Sequence, residues 1–258
     1  MDFDDLREYA PGDDVRDIDW KATARSSATL VRRYHAERKQ ILTFVVNTSR
    51  SMSAQTDAHE VKKDVTVTAV GAVGYLTTRH GDDIALVYGD EAAVRRLPTG
   101  RSEAHLERLL QTIDSASTPK AAAAATGSLL AFAARSLKRR MIVAVVTDET
   151  TLSAEDLEAV RQLAARHTLL WLTIGDTALE GEGSGKPILD IDSGRALPEF
   201  FRTQRPLREA ATAARASDRE SRESLLARLG VAHTVIHSQD EVVPALISLF
   251  AQRGHARG

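Results

Sequence analysis

The stretch Ile41-Leu42-Thr43-Phe44-Val45-Val46 runs straight into Asn47-Thr48-Ser49-Arg50-Ser51, passing from apolar and β-branched residues to hydroxyl and amide side chains. A continuous apolar run of this length, rich in β-branched residues, reads as a strand buried on both faces. The polar residues after it then lie at the strand's carboxyl end. Working outward, a helical pattern runs from about 57 to 78, and its middle, Val65 to Leu76, is almost wholly apolar or small. A strand at 84–88 and its partner at 92–97 flank Gly89-Asp90-Glu91, a hairpin turn, and Ser102 caps a helix over 102–112. A loop containing Pro119 leads through Ala121–Ala125 to Thr126, which opens a helix to about 139. Met141 to Val146 repeats the opening pattern and ends in Thr147-Asp148-Glu149. Ser153 caps a helix to about 167, with acidic residues in the first turn where they favour the helix dipole. A strand at 169–174, a Gly-rich stretch at 175–194, an Arg- and Ala-rich helix at 202–229, a strand at 231–236 and a helix at 240–250 complete the chain. Strands alternating with helices over this span predict an α/β protein, with a mostly parallel central sheet and helices on both faces.

Composition narrows the classes. Lys+Arg number 34 and Asp+Glu 36 among 258 residues, a net charge of −2, so the simplest electrostatic reading of nucleic-acid binding is disfavoured. There is no cysteine, which excludes a disulfide scaffold, thiolate zinc, iron–sulfur ligation and a cysteine nucleophile. No apolar run approaches the roughly 20 residues that span a bilayer, and the acidic start Met1-Asp2-Phe3-Asp4-Asp5 is unlike a secretory signal. A soluble, cytoplasmic protein is expected, reaching a membrane only peripherally and through partners.

In an open α/β sheet, ligands bind beyond the carboxyl ends of the strands, near the point where strand order reverses. Two polar clusters occupy such ends, Asn47-x-Ser49-x-Ser51 and Asp148-Glu149, and Thr126 lies in a loop between them in sequence. Hydroxyl, amide and carboxylate oxygens from three loops are the donors that a hard divalent cation requires. The same residues can equally make a loop held by hydroxyl and backbone hydrogen bonds.

The pattern resembles the von Willebrand factor type A (Rossmann-like) fold and its metal-ion-dependent adhesion site. That site uses Asp-x-Ser-x-Ser, a Thr and an Asp, and the matching positions are Asn47, Ser49, Ser51, Thr126 and Asp148. The resemblance implies Mg2+ or Mn2+, with Ser49, Ser51 and Thr126 as direct ligands and Asn47 and Asp148 acting through water. The match departs at Asn47, where an amide replaces a carboxylate and one negative charge is lost. Glu149 stands where the family often has Gly, and spacing alone does not place its carboxylate on a metal.

The N-terminal segment narrows the resemblance. Leu6-Arg7-Glu8-Tyr9-x-Pro11-Gly12-Asp13-Asp14-x-Arg16-x-Ile18-Asp19-Trp20, then Ala24-Arg25, Val31-Arg32-x-Tyr34 and Glu37-Arg38, resembles the bacterial family known as "domain of unknown function 58". There this motif directly precedes a von Willebrand type A domain. The resemblance implies residues 1–40 as a motif segment packing on a main domain at 41–258. It also implies a non-enzymatic adaptor role beside a MoxR-type AAA+ ATPase, since family members are often encoded next to one. Many members carry membrane helices and a segment upstream of the motif; here it starts almost at Met1, which reads as a short form or a start site placed late. Read without the family, the first forty residues are charged and irregular. Pro11-Gly12 suits a type II turn, the arginines can pair with Asp13, Asp14, Asp17 and Asp19, and Trp20 can dock as an apolar anchor. The segment is then either a clasp over a sheet edge or a recognition surface carried by Asp13, Asp14 and Arg16.

Several patterns are decoys. Gly181-x-Gly-x-Gly185-Lys186 lacks the phosphate-loop spacing, and Pro187 follows where Ser or Thr is needed. His233 and His237 fall on one face of a short strand as a satisfied or exposed pair, and no nucleophile elbow is present. The Arg-rich helix reads most simply as a solvated amphipathic face, although Arg202, Arg205 and Arg208 could meet an acidic partner. A phosphoester hydrolase using a metal-activated water on the same oxygens is the alternative from another class, as is a scaffold that needs no metal.

Overall fold

The computed structural model describes residues 3–11, 13–34, 39–149, 151–177, 191 and 204–255. The chain forms two compact units, Met1–Lys39 and Gln40–Gly258.

In the first unit, β1 (Phe3–Glu8) pairs antiparallel with β2 (Leu30–Tyr34), with Leu6 opposite Arg32 and Arg7 opposite Val31. This corrects the expectation of an irregular segment. The strands read FDDLRE and LVRRY, and so many charges hide the period-2 signal from which strands are recognised. Aspartates organise the intervening chain. Asp14 Oδ1 accepts the Arg16 N–H (2.9 Å) and starts a 3-10 turn at Val15–Asp17. Asp19 Oδ1 accepts the N–H groups of Lys21 and Ala22 (both 3.0 Å) and starts α1 (Trp20–Thr23). Ile18 bridges to Val31, and these two are the buried apolar residues of the unit among those described. Trp20 is 65% exposed. Asp13 N–H closes a turn onto Ala10 O at 3.1 Å; Gly12, on which the type II reading depends, lies outside the described residues.

The second unit is a six-stranded sheet in the order β5-β4-β3-β6-β7-β8. The strands are β3 (Ile41–Asn47), β4 (Asp83–Gly89), β5 (Val94–Gly100), β6 (Ile142–Asp148), β7 (Thr168–Ile174) and β8 (Ala232–Ile236). All neighbours are parallel except β4 and β5, the expected hairpin, so β5 is an antiparallel edge. From β3 the chain builds outward to β5 on one side and then returns to build β6, β7 and β8 on the other. The order therefore reverses between β3 and β6, whose carboxyl ends carry Asn47 and Asp148.

Both faces are covered. Leu42, Phe44 and Val46 face a core shared with α2 (Lys62–Arg79), α3 (Glu103–Ala116) and α7 (Val242–His255). Val45 faces the opposite core, made with α4 (Thr126–Ser136), α5 (Ala154–Arg166) and α6 (Arg205–Arg228). Alternating side chains of a strand apolar on both faces thus feed two cores, the physical reason its sequence lacks alternation. Helix α2 begins at Lys62 and not near 57. Residues 55–61 instead close a small loop through a Gln55–Val61 bridge, with His59 in the left-handed region at φ 62°. The described part of the Arg-rich helix begins at Arg205; Arg202 and most of the Gly-rich stretch, including Gly181–Pro187, lie outside the described residues.

Candidate functional site at the strand carboxyl ends

Four of the five residues expected at the site meet in one hydrogen-bonded cluster. Asn47 Oδ1 accepts the Ser49 N–H at 3.0 Å, which folds the loop back on the end of β3. Ser49 Oγ and Ser51 Oγ share a hydrogen bond at 2.9 Å, and Ser51 Oγ donates to Asp148 Oδ2 at 2.5 Å. Asn47 Nδ2 and Thr147 Oγ1 reach Asp148 Oδ1 at 3.4 and 3.3 Å. All of these side chains are buried.

The fifth residue, Thr126, opens α4, and its buried Oγ1 has no hydrogen-bond partner among the described residues. Its loop is fixed from two directions. Arg50 N–H donates to Ala122 O (3.0 Å), and Asp90 Oδ2 accepts the Ala122 N–H (3.0 Å). The next residue, Gly127, packs so closely on α5 that a Cβ there would collide with Asp156 Oδ1. Asp156 is itself held in a reciprocal capping box with Ser153. The start of α4 is thereby locked to the start of α5.

Beyond Asp148 and Glu149, charge at this end of the sheet comes from residues that sequence reasoning did not single out. Lys62, 2% exposed at the start of α2, forms an ion pair with Asp176, just beyond the carboxyl end of β7. Glu149 pairs with Arg219 of α6 and is committed to that helix. Arg215 Nη1 donates to Thr177 O at 2.9 Å, Thr151 Oγ1 donates to Asp218 Oδ2 at 3.4 Å, and Arg222 is buried at 7% exposure. Arg215, Arg219 and Arg222 recur at spacings of four and three, so they share one helical face. The expectation that this helix is a solvated face therefore holds for Arg205, paired with Glu209, and for Arg215, both exposed, and fails at Arg222. Asp176 was within reach of sequence reasoning, because it follows a recognised strand. Nothing in an Arg-rich helix distinguishes Arg222.

Burial, and more weakly neighbouring Arg219, pull the Arg222 guanidinium below its ordinary value, while Glu149 first and then Glu223 and Asp148 hold it charged. An arginine stays protonated in a protein, so a positive charge sits within electrostatic reach of Asp148. This bears on Mg2+ or Mn2+. The donors are hard oxygens and the Thr126 hydroxyl has no hydrogen-bond partner among the described residues, which suits such an ion. The charge does not suit it: one carboxylate, Asp148, stands where the cation would need more, its oxygens already accept from Ser51, Asn47 and Thr147, and Arg222 offsets it. Among the described residues, no group of three or more His, Asp or Glu side chains converges as a metal site. The residues present do not fit a divalent cation.

The remaining expected residues lie in the first unit. Asp13 accepts from Arg7 (2.5 Å) and from the Ala10 N–H (2.8 Å), and the hydrogen bond from Arg7 is the main cause holding its carboxyl below the usual range. Asp14 caps the 3-10 turn and Arg16 is exposed. His233 lies on β8 and its Nδ1 is 3.4 Å from Val231 O, whereas His237 lies beyond the strand with its Nδ1 3.1 Å from Asp57 Oδ1, so the two histidines do not share a strand face. No helix among the described residues is long and apolar enough to cross a membrane.

Comparison with known proteins agrees with this architecture. The family described as "Protein of unknown function DUF58" matches residues 5–221. An uncharacterised protein of Mycobacterium tuberculosis is 33% identical over 172 residues, 66% of this chain and 53% of that protein, so the chain spans about half the length of the curated relatives it matches. Among solved structures, the PilB minor pilin from Streptococcus sanguinis superposes with a TM-score of 0.50 at 10% identity, over 88% of this chain and 65% of that one. A von Willebrand factor type A protein from Catenulispora acidiphila overlaps 87% of this chain and 43% of its own, at 15% identity and a TM-score of 0.46. At such identities the likeness concerns the fold alone, a helix-covered α/β sheet.

Proposed function

The chain belongs to the family described as "Protein of unknown function DUF58", and from that premise we propose that it is a non-enzymatic interaction module whose docking face is the carboxyl end of the second unit's sheet. One observation carries this reading: the loops after β3 and β6 are joined by their own buried side chains into a fixed shape at the point where strand order reverses. A pre-shaped loop surface loses little conformational entropy on binding, which is what a recognition face needs. The partner we assign is a MoxR-type AAA+ ATPase, on the strength of the family resemblance. Such a partner places the module in the cytoplasm, peripheral to any membrane its partners occupy. Because the donor set does not fit a divalent cation, no step of this function runs through a metal.

The test is co-purification with the MoxR-type ATPase encoded nearby, using exposed residues on the rim of the face. Lys120 lies in the loop that leads to α4, and Glu91 follows β4. Charge reversal at both, Lys120→Glu with Glu91→Lys, is expected to weaken association without altering the thermal midpoint. Association unchanged by the reversal, or absent from the wild type with and without nucleotide, refutes the proposal.

A further inference from the structure

The strand-end cluster poses a problem of charge. Asp148 is a buried carboxylate, and such a group is stable only where donors and an opposite charge compensate its lost hydration. In a metal-bound site the cation supplies that charge. Here α6 brings a buried guanidinium to the same end of the sheet. Arg219, one turn before Arg222, pairs with Glu149, the residue next to Asp148, and Leu226, one turn after it, is buried in the core, so the helix is held on both sides of Arg222. Arg222 Nη2 is buried and hydrogen-bonds to no described residue, so hydrogen bonding within the helix does not account for its burial. Geometry also explains the level at which it sits. The 24 residues of α6 span about 36 Å at 1.5 Å per residue, while a seven-residue strand spans about 23 Å. The helix therefore outruns the sheet. It is exposed through most of its first half and buried only at Arg222 and Leu226.

We propose that Arg222 is the resident cation of this site: its guanidinium balances Asp148 from within the fold, so that the cluster is assembled without a divalent metal ion. This rests on the reading of the strand ends as the docking face and specifies its metal-independence. The charge count makes the consequence concrete. Asp148 and Arg222 sum to zero, and the Glu149–Arg219 ion pair beside them adds nothing, so an entering divalent ion meets a weakened attraction. Asn47→Asp brings the sum to −1, Arg222→Met alone also brings it to −1, and the two together bring it to −2.

Calorimetry with MgCl2 and MnCl2 separates these states. The wild type is expected to show no saturable heat at millimolar metal, and its thermal midpoint to be indifferent to EDTA. Metal should bind the double variant Asn47→Asp/Arg222→Met at least about tenfold more tightly than Asn47→Asp alone, as one unit of charge removed near a divalent ion dictates. Arg222→Lys, which keeps the charge, should leave Asn47→Asp unimproved. Saturable metal binding by the wild type overturns the proposal, and so does a double variant no tighter than Asn47→Asp. Should the methionine variants fail to fold, the wild-type titration still decides. Co-purification with the ATPase, with and without EDTA, keeps the two readings apart. Association lost in EDTA sinks the role of Arg222 and leaves the docking face standing, whereas association absent in both, with no metal bound by the wild type, sinks the docking face alone.

Discussion

Replacing Ser51 with Ala tests whether the strand-end loops hold themselves together or await a ligand. Ser51 Oγ donates to Asp148 Oδ2 at 2.5 Å and shares a second hydrogen bond with Ser49 Oγ at 2.9 Å, both in a buried setting. A hydrogen bond to a charged group contributes about 1.5–3 kcal/mol, and a buried carboxylate left short of a donor bears most of that loss. The loss of the Ser49 contact adds less, because Ser49 Oγ–H can turn to another acceptor. Ser51→Ala is therefore expected to cost about 2–3 kcal/mol. For a domain of this size each kcal/mol lowers the midpoint by roughly 2–4 °C, which places the drop at about 4–12 °C. Urea denaturation followed by circular dichroism in EDTA measures it. A double-mutant cycle with Asp148→Asn assigns it, and the coupling should exceed about 0.5 kcal/mol if the two groups act together. Oxygens poised around a missing cation would instead repel one another, and removing one would relieve them. A change within about 0.5 kcal/mol, the range of an ordinary surface substitution, refutes the self-supporting cluster.

Three further outcomes follow from the same geometry. Gly127→Ala drives a Cβ into Asp156 Oδ1 and should cost about 1–3 kcal/mol, read as a lower urea midpoint; an unchanged midpoint would mean α4 shifts freely against α5. Burial, with neighbouring Arg166 second, disfavours the charged form of His167, so its folded pKa lies below the unfolded value. Stability is then fully present above the unfolded value of about 6.5 and lost as pH falls from there through the folded pKa, and His167→Gln should flatten that part of the pH–stability curve; an equal slope in the variant sinks this assignment. Asp13 is held low chiefly by its hydrogen bond from Arg7, so its contribution is present above the ordinary carboxylate value of about 3.9 and disappears as pH falls through the lower folded value. Amide exchange at Ala10, whose N–H donates to Asp13, should accelerate over that acid range and already be fast in Asp13→Ala; protection unaffected by the substitution would show that Asp13 does not hold the turn.

What the sequence by itself determined was whatever periodicity and strand ends encode. The apolar runs at 41–46, 141–146 and 169–174 are strands of a parallel sheet because residues buried on both faces leave no polar alternation, and the structure has them at β3, β6 and β7. Once those strands are recognised, the carboxyl-end rule points to Asn47, Ser49, Ser51 and Asp148, and these four do meet. Two kinds of feature were decided only by the tertiary structure. The β1–β2 hairpin escaped because its strands are too charged to show a period, and it is made by backbone pairing between segments more than twenty residues apart. The charge balance of the site escaped because Arg222 stands 74 residues beyond Asp148, in a helix where its neighbours are also arginines. Which arginine is buried follows from how far a 24-residue helix overshoots a seven-residue strand and where it docks. The oxygens of the site are thus written locally, at strand ends, while the charge that replaces a metal arises from the packing of a distant helix.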